Sequence, residues 1–511
     1  VINLVIVTAR SASFELNTND VYYAKNRFDV FLNDKLVLEN QDRNVFSIYN
    51  LTPKTDYVLR VNETEITFTT LFESATVKVK DFGALGDGLN DDTFAIQAAI
   101  QACPASGRVL FEPGIYKTRP LFLKDDIMIE IPKDVTILGE TNRDLYPILP
   151  AQIQTENGLI ELSSWEGKPN PTYASIITGL LVKNVIIYGQ GIVDENAQNG
   201  EWWLNHKEMY KGAYRAKGVF LSNCENVTLQ GITVMNTPSW NLHPYFSKDL
   251  KFIDLKLISP KDSPNTDGCN PESCDGVDII GVDFSVGDDC IAIKSGKFEM
   301  GMKYARPSEN ITIRNCLMAY GHGGVVLGSE MSGGIRNLNV TKCLFKETDR
   351  GLRIKTRRGR GKNAIIDGVI FDNIIMQDVL APLVINMYYF CDEDGKTEYV
   401  YSKEKHPVDD RTPYLGKFVF KNIECRNVHQ ALGYFYGLPE QPIESITLEN
   451  ITVDYAKNSE AGFPAMMSYI EKMKDFGIFA RFVNDITIKN VKMDVDVKNS
   501  FEDYRNLNIE G

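Results

Sequence analysis

Asn310-Ile311-Thr312-Ile313, Asn337-Leu338-Asn339-Val340 and Asn363-Ala364-Ile365-Ile366 begin at 310, 337 and 363, 27 and then 26 residues apart. The same phrase, a turn residue followed by alternating aliphatic positions, occurs earlier at Asn184-Val185-Ile186-Ile187, Asn226-Val227-Thr228-Leu229 and Gly276-Val277-Asp278-Ile279. It returns at Ser445-Ile446-Thr447-Leu448 and Asp485-Ile486-Thr487-Ile488. A β phrase repeating about every twenty to thirty residues is the mark of a solenoid, in which each rung adds one strand per sheet and only stacking buries its inward side chains. The repeat predicts an all-β chain whose main body is a parallel β-helix. Asn226, Asn310, Asn339 and Asn450 also fit glycosylation sequons, but rung turns explain most of them without any sugar.

Working outward, residues 1–72 lack the repeat and predict a separate small β-sandwich. Strand-like runs cover 4–9, 13–16, 28–32, 45–49, 56–61 and 65–70, divided by polar turns. The run from Ile48 to Val61 resembles the fibronectin type III signature, with Tyr57 where sandwich domains place a tyrosine corner. Residues 73–511 would form the β-helix domain. Near its start, Phe94, Ile96, Ala99 and Ile100 have helical spacing, so a helix over 93–103 is expected, capped by Asp91 or Asp92, to plug the open end of the solenoid. Asp87, Asn90, Asp91 and Asp92 do not have the spacing of a calcium-binding EF-hand loop.

With 511 residues, the chain exceeds one ordinary core unless it is a solenoid or barrel. A net charge of −13 argues against general nucleic-acid binding. No apolar run reaches membrane-span length, so no membrane partner is expected. Val1–Val7 lacks the basic start and cleavage site of a leader and reads as a strand. The nine cysteines include Cys224, Cys316, Cys343 and Cys425 in similar contexts along the repeats, which suits buried stacked thiols better than disulfides. Reduced thiols favour the cytoplasm over secretion, and localisation is otherwise open.

Against this acidic background, Arg353, Lys355, Arg357, Arg358, Arg360 and Lys362 place six cations in ten residues. They follow three other polar strings: Asn265-Thr266-Asp267, Gly287-Asp288-Asp289 and Gly321-His322-Gly323. Asp267 and Asp288 are 21 residues apart, His322 lies 33 beyond Asp289, and Arg353 lies 31 further on. Rungs stack about 4.8 Å apart, so equivalent positions on successive rungs bring these side chains into one patch over about four rungs. Arg353 and Lys355, two apart, share a strand face, whereas Asp288 and Asp289 act together only at a bend or bulge. Mutual repulsion should raise the pKa of at least one carboxylate, keeping it protonated as a general acid, while the others stay ionised and activate water. The cations would neutralise an anionic sugar.

These strings, extended by Asn265-Thr266-Asp267-Gly268 and the run from Gly287 to Gly296, resemble the polygalacturonases of glycoside hydrolase family 28 over roughly residues 76–500. The resemblance implies a right-handed parallel β-helix that hydrolyses α-1,4-galacturonide bonds with inversion and without metal or other cofactor. It makes Asp288 the general acid, Asp267 and Asp289 the groups that activate water, His322 the residue that tunes the acid, and Arg353 and Lys355 the holders of the uronate. Inverting pairs generally stand about 6.5–9.5 Å apart, so that spacing is expected here. Asn265, Arg357, Arg358 and His243 are further candidates for substrate binding. Long segments at 141–175, 297–309, 356–362 and 386–415 resemble those of bacterial exo-acting members and would turn a cleft into a pocket that reads a chain end. The substrate is then pectate or its oligogalacturonides. An endo-acting enzyme, a rhamnogalacturonan-type hydrolase, a calcium-dependent pectate lyase and a non-catalytic carbohydrate-binding solenoid are the alternatives.

Overall fold

In the computed structural model, which describes residues 1–510, the expected all-β architecture is present: a parallel β-helix preceded by small antiparallel sheets. Inward positions of successive rungs pair in parallel register, Val185 with Val227, then Leu250, Val277, Ile311, Leu338 and Val369. The stack continues through Phe418, Ile446 and Ile486. All these side chains are buried in one continuous core. Burial of such aliphatic stacks supplies the main driving force, roughly 25 cal/mol per Å² of apolar surface.

The turn residue before each inward position explains the repeated Asn. Asn184, Asn226, Asn310 and Asn337 all have φ between 53° and 56°, a left-handed conformation that Asn tolerates better than most side chains. Their amides also form ladders: Asn226 Nδ2 donates to Asn184 Oδ1 at 2.8 Å and Asn337 Nδ2 to Asn310 Oδ1 at 2.7 Å. The phrase at 363 is the exception. Leu338 pairs with Val369, so the equivalent turn is Gly368, at φ +71°. The rung at Asp249-Leu250 also carries the turn without Asn, with Asp249 at φ +55°. Gly and Asp satisfy the same backbone requirement as Asn, so the rung read at 363 starts at Gly368 and the one at Asp249 went unread.

The N-terminal sheets comprise β1 (Ile2–Val7), β2 (Ala12–Leu16), β3 (Tyr23–Leu32), β4 (Lys35–Arg43), β5 (Val45–Ile48), β6 (Asp56–Val61) and β7 (Thr64–Thr69). One sheet has the order β1-β2-β5 and the other β4-β3-β6-β7. Six of the strands match expected runs; β4 does not, because Glu39, Asn40, Gln41 and Asp42 give it a turn-like composition. The Tyr57 hydroxyl accepts from the backbone N–H of Thr52 at 2.9 Å, tying down the chain five residues upstream.

The β1-β2-β5 side docks on a second file of rung turns. Arg43 pairs with Asp254 at 3.0 Å, Glu15 with Arg314 at 2.9 Å, and Tyr22 donates to Asp283 at 2.6 Å. Val45 is buried with Ile253 and Ile280. At the tightest point, a Cβ on Gly231 would lie 1.9 Å from the Tyr49 hydroxyl, and Gly231 has φ +78°. Gly231→Leu is therefore expected to lower stability by at least about 2 kcal/mol. Urea denaturation checks this, and an unchanged midpoint would contradict the docking.

The helix is α1 (Thr93–Ala102), with Ile96, Ala99 and Ile100 buried in the solenoid core at its first rungs. Asp92 occupies the cap position, but its carboxylate accepts from Leu85 N and Gly86 N at 2.7 and 2.9 Å. The Thr93 N–H is instead taken by Asp91, at 3.0 Å. Cys224, Cys316, Cys343 and Cys425 are buried as free thiols, as expected.

Candidate active site

The four polar strings fall on four successive rungs. Cys269 bridges to Ile291, Ile291 pairs with Val325 and Val325 with Leu352, which stacks Asp267, Asp288-Asp289, His322 and Arg353 in order. Asp288 and Asp289 lie in the bend between the strands Asp283–Ser285 and Ile291–Ile293, so both reach the same wall. Arg353 and Lys355 project side by side from the strand Arg350–Lys355. Glycines allow these rungs to approach: a Cβ on Gly268 would lie 2.3 Å from the Cys290 carbonyl oxygen.

One carboxylate oxygen from each of Asp267, Asp288 and Asp289 lies within 4.8 Å of the other two. The expected acid–base spacing of about 6.5–9.5 Å is therefore not observed. The cause is geometric: two of the acids are consecutive in one bend and the third is a single strand-stacking step away.

The three acids differ in protonation. Burial, and then the charges of Asp288 and Asp289, push Asp267 well above the usual carboxylate range. Burial and Asp289 also raise Asp288, against the pull of Lys355 and His322. Burial works in the same direction on Asp289, but Lys355 and Arg353 more than offset it, and its pKa falls below the ordinary value. The Lys355 ammonium donates to Asp289 Oδ2 at 2.8 Å, while the Arg353 guanidinium stands 3.7 Å from Oδ1. Asp289 is thus the ionised member, and Asp267 and Asp288 hold protons above the ordinary range. The acids are also the one set of His, Cys, Asp and Glu among the described residues placed to share a metal ion. Of the Asp289 oxygens, Oδ2 is taken by the Lys355 ammonium.

His322 sits at the mouth, its backbone N–H donating to the Asp288 carbonyl at 3.1 Å. Its Nδ1 is 2.9 Å from Asp349 Oδ2, and this hydrogen bond, opposed by burial and helped by Asp288 and Asp289, raises its pKa. An imidazolium that faces Asp288 is thus retained to higher pH and is lost as pH rises through its elevated pKa. Asp349→Asn removes the main raising interaction. The basic limb of kcat/KM against pH is expected to move to lower pH in that variant, with the acidic limb in place; an unshifted basic limb would deny Asp349 this role.

These groups line a cavity of about 550 Å³, within the roughly 300–1,000 Å³ of sites that enclose a small ligand. Asn265 lines it, its Oδ1 accepting from Arg215 at 2.7 Å, and so does Trp240. Three expected binders do not. His243 is fully buried, held to Glu272 at 2.9 Å and with its pKa pushed down to about 4 by burial. Arg357 is engaged by Asp394 at 2.7 Å, and Arg358 by Glu440 and the carbonyls of Tyr399, Ser402 and Glu404. Buried guanidiniums need such partners, so this part of the cation cluster fastens the segment 392–404 rather than facing a ligand.

Long inserted segments wall the cavity, which Glu166, Glu330 and Asp392 line. Gly167, in the hairpin of Ser164–Trp165 and Lys168–Pro169, accepts from Lys297 N at 2.9 Å and abuts Glu330. Lys297 in turn pairs with Asp392 at 3.1 Å, joining the segments near 166, 297 and 392. Lys294, quoted in the motif but given no role by it, donates to Glu330 at 2.6 Å along this wall. The His322 and Asp349 side chains, which also line it, are 57% and 50% exposed. Here Met466 enters from a segment that the sequence had not marked at all.

Residues 125–463 match Glycosyl hydrolases family 28. The chain belongs to this family. A Vitis vinifera protein named "Probable polygalacturonase" is 27% identical over 388 residues, covering 74% of each chain. Exo-poly-alpha-D-galacturonosidase of Dickeya chrysanthemi is 25% identical over 404 residues, 70% of this chain and 64% of the relative. The crystal structure of a hyperthermoactive exopolygalacturonase from Thermotoga maritima superposes with a TM-score of 0.67 at 25% identity, covering 83% of this chain and 92% of that one. Family membership gives the clustered acids a hydrolytic context, and the four strings all fall inside the matched span.

Proposed function

We propose that this family 28 hydrolase removes galacturonic acid units from the end of polygalacturonate or its oligosaccharides. The observation that supports the exo mode is the wall through Gly167, Lys297 and Asp392, which joins three long inserted segments beside the acids. The exo-acting names of the Dickeya and Thermotoga relatives support it. In this reading Asp288, whose pKa is raised, protonates the glycosidic oxygen. Asp289, kept ionised by Lys355, takes a proton from the attacking water, which Asp267 helps to seat. His322 faces the acid, and Arg353, with Lys355 beside it, receives the sugar carboxylate. Inversion at C1 follows from the family resemblance, not from the carboxylate spacing.

A chromatographic time course on polygalacturonic acid tests the mode, with chelator present and Asp288→Asn as control. Free galacturonate or digalacturonate should be the first product from the wild type alone. An early ladder of oligomers would overturn the exo mode, and unsaturated products lost on chelation would replace hydrolysis by lyase chemistry. Proton NMR of the first product should show the β-anomer; the α-anomer would overturn inversion.

A further inference from the structure

The segment between Gly462 and Met473, which close on each other as an antiparallel bridge, has no part in the chemistry described above. It borders the cavity, which Met466 lines. Arg350, adjacent to Asp349, anchors it by donating to the carbonyls of Pro464 and Phe463 at 2.9 and 2.7 Å. Asn386 holds the Met466 carbonyl at 3.0 Å, and Arg353 donates to the Met466 sulfur at 2.8 Å. The segment is therefore fixed to the cations of the site. Yet three of its apolar side chains are exposed, Phe463 to 51%, Met466 to 41% and Tyr469 to 83%, while Ala465 and Met467 are buried.

That exposure is built in. Tyr469 has φ +59°, a conformation that costs a bulky residue of order 1 kcal/mol and persists only where the surroundings impose it. Its ring meets Tyr401 edge-on at 5.0 Å, so one face remains bare. Lys472 stands 5.6 Å from the Phe463 ring centroid, adding a cation to the patch. Aromatic faces interleaved with a lysine suit a ligand with alternating apolar ring faces and anionic groups. A polyuronate is such a ligand, and a chain whose end occupies the cavity can leave it past Met466 over this rim.

We propose that the segment Gly462–Met473 forms an accessory saccharide subsite, in which Phe463 and Tyr469 stack on uronate rings beyond the cleaved bond and Lys472 meets a carboxylate. This rests on the galacturonide reading given above. The occupant is the part of the substrate outside the cavity, because the patch is continuous with Met466 and Arg353 inside it.

The test compares trigalacturonate, held by the cavity itself, with hexagalacturonate, which extends over the rim. In the Phe463→Ala/Tyr469→Ala variant, KM for hexagalacturonate should rise about tenfold at unchanged kcat. KM for trigalacturonate should stay within about twofold of wild type. The conservative changes Phe463→Tyr and Tyr469→Phe should retain wild-type values for both. Equal losses on both substrates, or no loss on either, would overturn the subsite. A wild-type protein that cleaves neither oligomer would remove the galacturonide reading and this proposal with it.

Discussion

Asp288→Asn is expected to lower kcat on oligogalacturonides about a thousandfold, with KM within about twofold of wild type. The amide keeps the shape of the side chain and its hydrogen bond from the Asp289 N–H, 3.0 Å long in the native site, but has no proton to give a leaving oxygen. The same change should raise stability at neutral pH. Asp288 and Asp267 both have folded-state pKa values above their unfolded ones, so the folded state binds more protons. Each then opposes folding once pH passes the unfolded carboxylate value of about 4. Removing the Asp288 charge takes away its own penalty and lightens that on Asp267. Urea denaturation should show the variant more stable than wild type at pH 7, with the difference shrinking towards pH 4. A less stable variant at pH 7 would mean that the acids are not the repelling cluster described here. Activity bought with a strained cluster of charges is a common trade in active sites.

How much of this was legible in the sequence depended on whether a residue's partner lay nearby in the repeat. Asp267, Asp288, Asp289, His322, Arg353 and Lys355 could be grouped because rung spacing converts sequence separation into stacking distance. Turn asparagines were legible for the same reason, while the rung read at 363 starts at Gly368 and the rung at Asp249 went unread. Long inserted segments defeat that arithmetic. Arg357 and Arg358 look like free cations until the segments carrying Asp394 and Glu440 fold over them. His243 alternates in a strand as an exposed residue would, and its burial partner Glu272 comes from the next rung. Asp349 did leave a signal, one residue before the strand that bears Arg353 and one rung beyond His322, yet the imidazole pairing shows only in three dimensions. Met466 left none, because nothing in its own neighbourhood marks a segment that arrives after the last catalytic string.

Lys355→Met is expected to act on stability and catalysis together. Its ammonium and the Asp289 carboxylate are 10% and 2% exposed. Breaking a buried pair leaves a charge without its partner, a loss of about 3 kcal/mol at pH 7 where Asp289 is ionised. The direction with pH is opposite to that for Asp288. Asp289 has a folded-state pKa below its unfolded one, so its pairing stabilises the fold above the unfolded value and is lost as pH falls through the depressed one. The Lys355→Met deficit should therefore be greatest near neutrality and fade in acid. In the variant Asp289 takes up a proton more readily, the water loses its base, and kcat/KM should fall about a thousandfold. Adding Asp289→Asn to Lys355→Met separates the two effects. With no carboxylate left unpaired, the double variant should recover most of the lost stability and none of the activity. If both returned, neither the Lys355 ammonium nor the Asp289 carboxylate would be needed for catalysis, and another group would have to act as the base.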